Sequence, residues 1–224
     1  MEDSAPERGG LGGEITRLTV QKNDSDRMSV FLDGAFAFGV HQDLVLKHQL
    51  VTGRRLSPDE HLALIEEDKV MRAKGKAFDY LAHKARTETE VRRKLREKDY
   101  ASGVIDQVVA YLHDRGYLDD EAYAHEYVRR RFSHKGYGPV RLRMELKKRG
   151  IDRHLAETAV DRLFEENDQL PAAQAQAEKK WSRIAREDDP RKRRDKLYRH
   201  LKRRGFTYDV IQQVIDEMED EPLY

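Results

Sequence analysis

Residues 145–151 read ELKKRGI, and altered copies stand at 200–206, HLKRRGF, and at 94–100, KLREKDY. The three stretches align without gaps. Leu95, Leu146 and Leu201 correspond, and so do Val91, Leu142 and Leu197, and Tyr100, Ile151 and Phe206. Downstream, Val104 matches Leu155 and Val210, Val109 matches Val160 and Ile215, and Leu112 matches Leu163 and Met218. The leucines at 95, 146 and 201 set offsets of 51 and 55 that hold along the whole alignment. A fixed period of this size marks a repeated supersecondary unit.

Within each copy the stretch reads as a corner between two helices. Leu146 ends an amphipathic helix, Lys147–Arg149 occupy its last turn, and Gly150 takes the left-handed conformation that closes it. Ile151 packs back on the finished helix. Asp152 caps the next one, whose apolar face is Leu155, Ala159, Val160 and Leu163. The third copy repeats this with Gly205, Phe206 and Thr207, while the first has Asp99 in place of the glycine, a costlier residue at positive φ. A further helix precedes each corner: AFDYLAHKA; DDEAYAHEYVRRRF, capped by Asp119 or Asp120, with Tyr123, Tyr127 and Val128 on one face; and AAQAQAEKKWSRIA, with Trp181 and Ile184 inward. The pattern predicts three three-helix repeats at 69–117, 118–167 and 168–221, set in an elongated curved array.

Upstream the period changes to two. EITRLTVQK alternates as a strand does, with Leu18 and Val20 on one side. MSVFL and AFAFGV flank Asp33-Gly34, a strong hairpin signal because both turn residues need positive φ. A three-stranded antiparallel sheet at 14–40 is expected, inside an extension at 14–56 that follows a disordered tail at 1–13. Ser57, Pro58 and Glu60 then supply an N-cap, a first-turn proline and a capping-box acid for a connecting helix at 57–68. The fold class is mainly α with a small N-terminal antiparallel β-sheet.

Charged residues make up 38% of the 224 residues, so each unit can bury only a thin core. Cysteine is absent, which excludes a disulfide framework, a zinc ribbon and a thiol nucleophile. The first residues, MEDSAPERGGLGG, lack the apolar core of a signal peptide or anchor, and no run approaches a membrane span, so a soluble cytoplasmic protein is expected. There is no GxxxxGK[ST] loop and no HExxH, and the nine histidines are scattered. Asp119, Asp120 and Glu121 could be imagined as metal ligands, but they stand where a helix starts, and first-turn acids answer the dipole there. Nothing specifies catalysis, a metal or a cofactor.

The net charge of +1 hides local separation. Residues 129–149 hold nine Lys or Arg against Glu145 alone, and residues 191–204 hold nine against Asp195 alone. Acids gather at 157–168 and 216–221. Basic residues recur at 96, 147 and 202 and at 98, 149 and 204; the second set complements the dipole of the last turn, and the first forms, with Arg92 and Arg143, a charged outer row. One such row is ordinarily a solvated face. Two nine-to-one blocks in successive units point to a polyanionic or acidic partner. Tyr123, Tyr127, Trp181 and Phe206 sit at core spacing and are expected to pack inside.

GYLDDEAYAHEYVRRR at 116–131, followed by KGYGPVRLRMELKKRGI at 135–151, closely resembles the RecX family of bacterial regulators of the RecA recombinase. The motif runs from Gly116, Asp119 and Asp120 through Tyr123-Ala124 and the arginine cluster to Lys135-Gly136 and Gly150-Ile151. The flanking copies extend the match over about 69–218, with Gly205 closing the third corner, and the strand-rich extension is similar to that of longer members. The resemblance implies a non-enzymatic regulator that lies in the groove of the RecA filament on single-stranded DNA. It would limit filament growth, ATP hydrolysis and strand exchange in recombinational repair and the SOS response, acting as a monomer with no membrane partner. The basic residues expected to meet RecA or DNA are Arg92, Arg96, Arg129, Arg130, Arg131, Lys135, Arg141, Arg143, Lys147 and Lys148, then Arg191, Lys192, Arg193, Arg194, Lys202 and Arg203 on the third repeat. A second reading is a direct DNA-binding protein of tandem helix-turn-helix-like units with no recombinase target. The helices after the corners, such as HLAETAVDRLFEEND, are acidic and unsuited to a phosphate-lined groove, which weighs against duplex reading and leaves weak, salt-sensitive DNA binding open. A nuclease using Asp119, Asp120 and Glu121 would require metal-dependent cleavage.

Overall fold

Strand β1 (Gly13–Gln21), β2 (Asp24–Leu32) and β3 (Ala35–His41) open the fold of the computed structural model, which describes residues 12–220 except the side chain of Asp220. Most of the tail expected at 1–13, and Glu221 at the end of the third repeat, lie outside the described residues. Asp33 and Gly34 have φ of 49° and 84°, the conformation that the tight β2–β3 hairpin demands. A short helix α1 (Gln42–Lys47) and a two-residue strand β4 (Arg55–Leu56) follow. The sheet is therefore four-stranded, in the order β3-β2-β1-β4, all antiparallel, rather than three-stranded. Neither added element was legible, because two strand residues or six helical ones are too few to display a period. Leu18 packs against the sheet core, but Val20 is exposed.

Helix α2 (Pro58–Ala82) starts on the expected capping box, with Glu60 N–H donating to Ser57 Oγ at 3.1 Å and Ser57 N–H donating to Glu60 Oε2 at 2.8 Å. It runs unbroken through the connecting helix expected at 57–68 and on into AFDYLA, ending at Ala82, with Gly75 held within the helix. The sheet residues Ile15, Val30, Phe38 and Leu56 share one core with Leu64 of this helix. Asp68 is buried beneath the sheet and takes a two-pronged ion pair from Arg27, at 3.1 and 2.8 Å, with the His41 N–H donating to it at 3.0 Å. A buried carboxylate is tolerable only with such partners.

The repeats follow as α3 (Glu88–Arg96) and α4 (Ser102–Asp114); α5 (Asp120–Lys135), α6 (Pro139–Lys148) and α7 (Arg153–Glu166); and α8 (Leu170–Ile184), α9 (Pro190–Arg204) and α10 (Tyr208–Asp220). The chain divides into two compact units: the residues up to Lys84 with Arg92–Tyr111, and Ala85–Val91 with the residues from Leu112 on. The corner motif is the same each time. Gly150 and Gly205 have φ of 78° and 88°, and Asp99 has 60°. The amide two places past each last turn reaches back to the aligned leucine: Tyr100 to Leu95, Ile151 to Leu146 and Phe206 to Leu201. This is the Schellman closure, and it satisfies carbonyls that a helix end would otherwise leave bare. Gly116 closes α4 in the same way, with φ of 70°.

Leu95, Leu146 and Leu201 are fully buried, as are Val91, Leu142 and Leu197. Tyr127 and Phe206 are buried as expected, and Tyr123 and Trp181 pack half-buried against the cores of the second and third repeats.

Candidate interaction surface on the basic helices

The position of the basic middle helices is set by how consecutive repeats meet in the second unit. The end of α9 abuts the start of α6: Gly138 and Val140 N–H donate to the carbonyls of Arg204 and Gly205 at 2.9 and 3.0 Å, and Arg141 Nη1 donates to the Arg203 carbonyl at 2.9 Å. In turn the end of α6 abuts the start of α3, where Thr87 and Thr89 hydroxyls donate to the carbonyls of Arg149 and Gly150 at 2.7 and 3.2 Å. Each junction pairs the bare carbonyls of one helix with donors at the start of the next, and the positive and negative dipole ends meet. The glycines are needed for this approach as well as for the turn. A Cβ on Gly205 would stand 2.3 Å from the Arg141 backbone nitrogen, and one on Gly150 would stand 2.3 Å from Thr89.

Many of the basic residues are consumed by the fold. In each repeat one middle-helix arginine bonds an aspartate of the last helix: Arg92 to Asp106 at 2.6 Å, Arg143 to Asp161, and Arg194 to Asp216 at 3.0 Å. Arg194 also holds Glu219 at 2.7 Å and Gln212 at 3.0 Å. Glu145, the lone acid of its block, gathers a second group. It accepts from the Tyr127 hydroxyl and from Arg141 Nε at 3.2 Å, and Arg131 Nε donates to the same hydroxyl at 3.0 Å. Burial pushes the Glu145 carboxyl up, but those hydrogen bonds and the charges of Arg141 and Arg149 outweigh it and hold the carboxyl below its ordinary range. Arg193 donates to the Glu187 carbonyl at 2.6 Å, and Lys192 stands 3.9 Å from Asp189.

Arg149 and Arg204, which the sequence explains by the helix dipole, do more. Arg149 lies over the Tyr127 ring at 4.3 Å and donates to the Glu145 carbonyl; Arg204 crosses the junction to the Lys135 carbonyl at 3.0 Å. What remains outward are Arg96 in the first unit and Arg129, Arg130, Lys135, Lys147, Lys148, Arg191, Lys202 and Arg203 in the second. All are exposed, and none has an ion-pair partner among the described residues. Lys179, Lys180 and Arg183 on α8 belong with them and were passed over in the sequence, because QAEKKWSRI reads first by its apolar face. Their signal is the spacing of Lys179 and Arg183, four residues apart on one face.

The acidic cluster is structural. Asp119 caps α5 by accepting from Ala122 N–H at 2.8 Å, and Asp120 accepts from Glu88 N–H at 3.0 Å, tying α5 to the start of α3. Burial raises the Asp120 carboxyl above its ordinary range. Among the described residues no group of three or more His, Asp or Glu is placed to hold a metal ion, and no helix is long and apolar enough to cross a membrane.

Comparison with known proteins covers the chain almost end to end. The RecX N-terminal domain matches residues 13–57, and the first, second and third RecX three-helix domains match 73–112, 119–160 and 167–215. The regulatory protein RecX of Clostridium acetobutylicum is 31% identical over 209 residues, covering 92% of this chain and 97% of its own length. That of Bacillus licheniformis is 33% identical over 207 residues, covering 92% and 78%. A crystal structure of regulatory protein RecX superposes with a TM-score of 0.73 at 28% identity, covering 91% of this chain and 98% of that one. A crystal structure of RecX from Lactobacillus salivarius gives 0.62 at 31% identity, covering 68% and 98%. With four consecutive domains in the family's order and relatives matched over most of their length, the chain belongs to the RecX family of regulatory proteins.

Proposed function

We propose that this chain regulates the RecA recombinase without chemistry of its own, binding as a monomer in the groove of the RecA filament on single-stranded DNA. There it limits filament extension, ATP hydrolysis and strand exchange in recombinational repair and the SOS response, in the cytoplasm. The observation that carries the reading is the end-to-end junction of α9, α6 and the start of α3. It ties the end of α9 to the start of α6, and the end of α6 to the start of α3, while leaving Arg129, Arg130, Lys147, Lys148, Lys202 and Arg203 without ion-pair partners among the described residues. A surface of this kind suits a partner whose negative charge repeats along a length, such as a nucleoprotein filament.

The test is the single-stranded-DNA-dependent ATP hydrolysis of the cognate RecA as the protein is added in steps at physiological salt. Suppression well below one molecule per RecA subunit is expected. Charge reversal at Arg130, Lys147 and Lys148 together should weaken suppression while leaving the helical signal intact; undiminished potency in that variant would refute the surface assignment. If hydrolysis falls only when the protein exceeds the DNA sites, and falls less as salt is added, the protein competes for DNA and the direct DNA-binding reading replaces this one.

A further inference from the structure

Residues of helices α8 and α9 line two adjoining, solvent-open hollows of about 430 and 570 Å³. The first is walled by Lys180 from α8 and by Lys196, Arg199, Lys202 and Arg203 from α9. The second shares Lys180 and Arg203 and adds Lys179, Arg183 and Arg204, with His200 in its wall. No carboxylate is among the residues lining either hollow. Glu187 and Asp195 answer Lys196 and Arg199, and Arg204 is held by the Lys135 carbonyl. Lys179, Lys180, Arg183, Lys202 and Arg203 are left with no ion-pair partner among the described residues. Five like charges on two facing walls repel one another, and an anion between them relieves that repulsion.

One polar group of the wall asks for an occupant. His200 lines the second hollow, and its Nε2 is buried without a hydrogen-bond partner, a condition that native proteins rarely leave unanswered. Burial and the charges of Arg204, Lys180, Arg203 and Arg183 push the His200 imidazole down to about 4, so it is neutral at pH 7 and its ring can carry the proton on Nε2. The unpaired cations stand at Lys179, Lys180 and Arg183 along about 6 Å of helix rise on α8 and at Lys202 and Arg203 on α9, and so appear on both walls. That distribution fits a chain carrying one charge per link better than a single carboxylate. A furrow between two helices packed at roughly 8–10 Å between axes takes a single strand and not a duplex.

We propose that the α8–α9 cleft of the third repeat binds the phosphodiester backbone of single-stranded nucleic acid, with its five unpaired cations neutralising phosphates and His200 Nε2 donating to a phosphate oxygen. The inference deepens the proposed function, and rests on it for the source of the strand, the DNA within the filament.

The test uses the full chain and a labelled oligothymidylate, with affinity followed by fluorescence anisotropy between about 50 and 200 mM salt. K180Q/R203Q removes two cleft cations that make no ion pair. R153Q/R162Q removes the same net charge from the exposed face of α7 and serves as the control. The cleft variant is expected to lower the slope of log K against log salt by about 1.4, which corresponds to roughly 25-fold weaker binding at about 0.1 M salt when referred to 1 M. The loss should be the same for oligonucleotides of other sequence, and the control should bind as the wild type does. Wild-type affinity and slope in K180Q/R203Q, or displacement of the oligonucleotide by polyglutamate at equal charge concentration, overturns the proposal. RecA-dependent ATP hydrolysis measured in parallel separates the two ideas. If the wild-type chain suppresses hydrolysis while the cleft variant binds the oligonucleotide undiminished, the cleft assignment fails alone; if the cleft behaves as expected while hydrolysis is untouched by the wild type, the regulatory reading fails alone.

Discussion

Replacing Gly205 by alanine tests how the repeats are joined. The position has φ of 88°, and an L side chain there costs about 1–2 kcal/mol. The new Cβ would also stand 2.3 Å from the Arg141 nitrogen and 2.8 Å from its Cα, backbone atoms that no rotamer change can move aside. Restoring ordinary contact requires the start of α6 to retreat by roughly 1 Å. That retreat breaks the bonds from Gly138 and Val140 N–H to the Arg204 and Gly205 carbonyls, each worth about 1 kcal/mol net. The expected loss is about 3–4 kcal/mol. Gly116→Ala is the matched control, because Gly116 has φ of 70° but nothing within 4 Å of its Cβ position, so only the conformational cost of about 1–2 kcal/mol applies. Urea unfolding followed by far-ultraviolet circular dichroism, analysed at a common m-value, reads both. Equal destabilisation by the two substitutions would refute the claim that Gly205 is required by close approach between repeats rather than by its turn alone.

Asp99→Gly should stabilise the first corner by about 0.5–1 kcal/mol, seen as a raised melting temperature, because Asp99 holds φ of 60° where glycine is unstrained. Tyr127→Phe should cost about 1–2 kcal/mol by taking a donor from Glu145. Since the folded Glu145 carboxyl lies below its ordinary range, its stabilisation is present above the unfolded value and lost as pH falls through the folded one, and urea titrations at descending pH should show a shallower acid loss in the variant. For His200 the unfolded chain takes up a proton near pH 6.5 that the folded chain refuses until about 4, so stability should fall across that interval. The loss should be roughly 1–2 kcal/mol, smaller than a dry interior would give because the surrounding cations are exposed and screened, and His200→Gln should abolish it. An unchanged pH dependence in that variant would count against the burial of the neutral ring.

The recurring corner was legible because everything that makes it is local. A left-handed closing residue, an apolar residue one place later and leucines at helical spacing lie within a few positions of each other, and at the aligned positions the three copies bury matching leucines and valines. The Asp33-Gly34 turn was legible for the same reason. Glu145 already stood out as the only acid in a block of nine cations, yet nothing in the string shows that Tyr127, Arg131 and Arg141 converge on it.

The sequence by itself determined the repeats, their helix boundaries near each cap and the placement of positive charge on the middle helices, since periodicity and capping act over one or two turns. Only the tertiary structure decided which charges remain available. Arg143 meets Asp161 across 18 residues, Arg27 meets Asp68 across 41, and Arg204 reaches Lys135 across 69, whereas Lys180 and Arg203 face each other across a cleft and find no acid. An arginine has the same letter whether it is neutralised or not. Coulomb attraction depends on separation in space, and that separation is set only once the helices have packed.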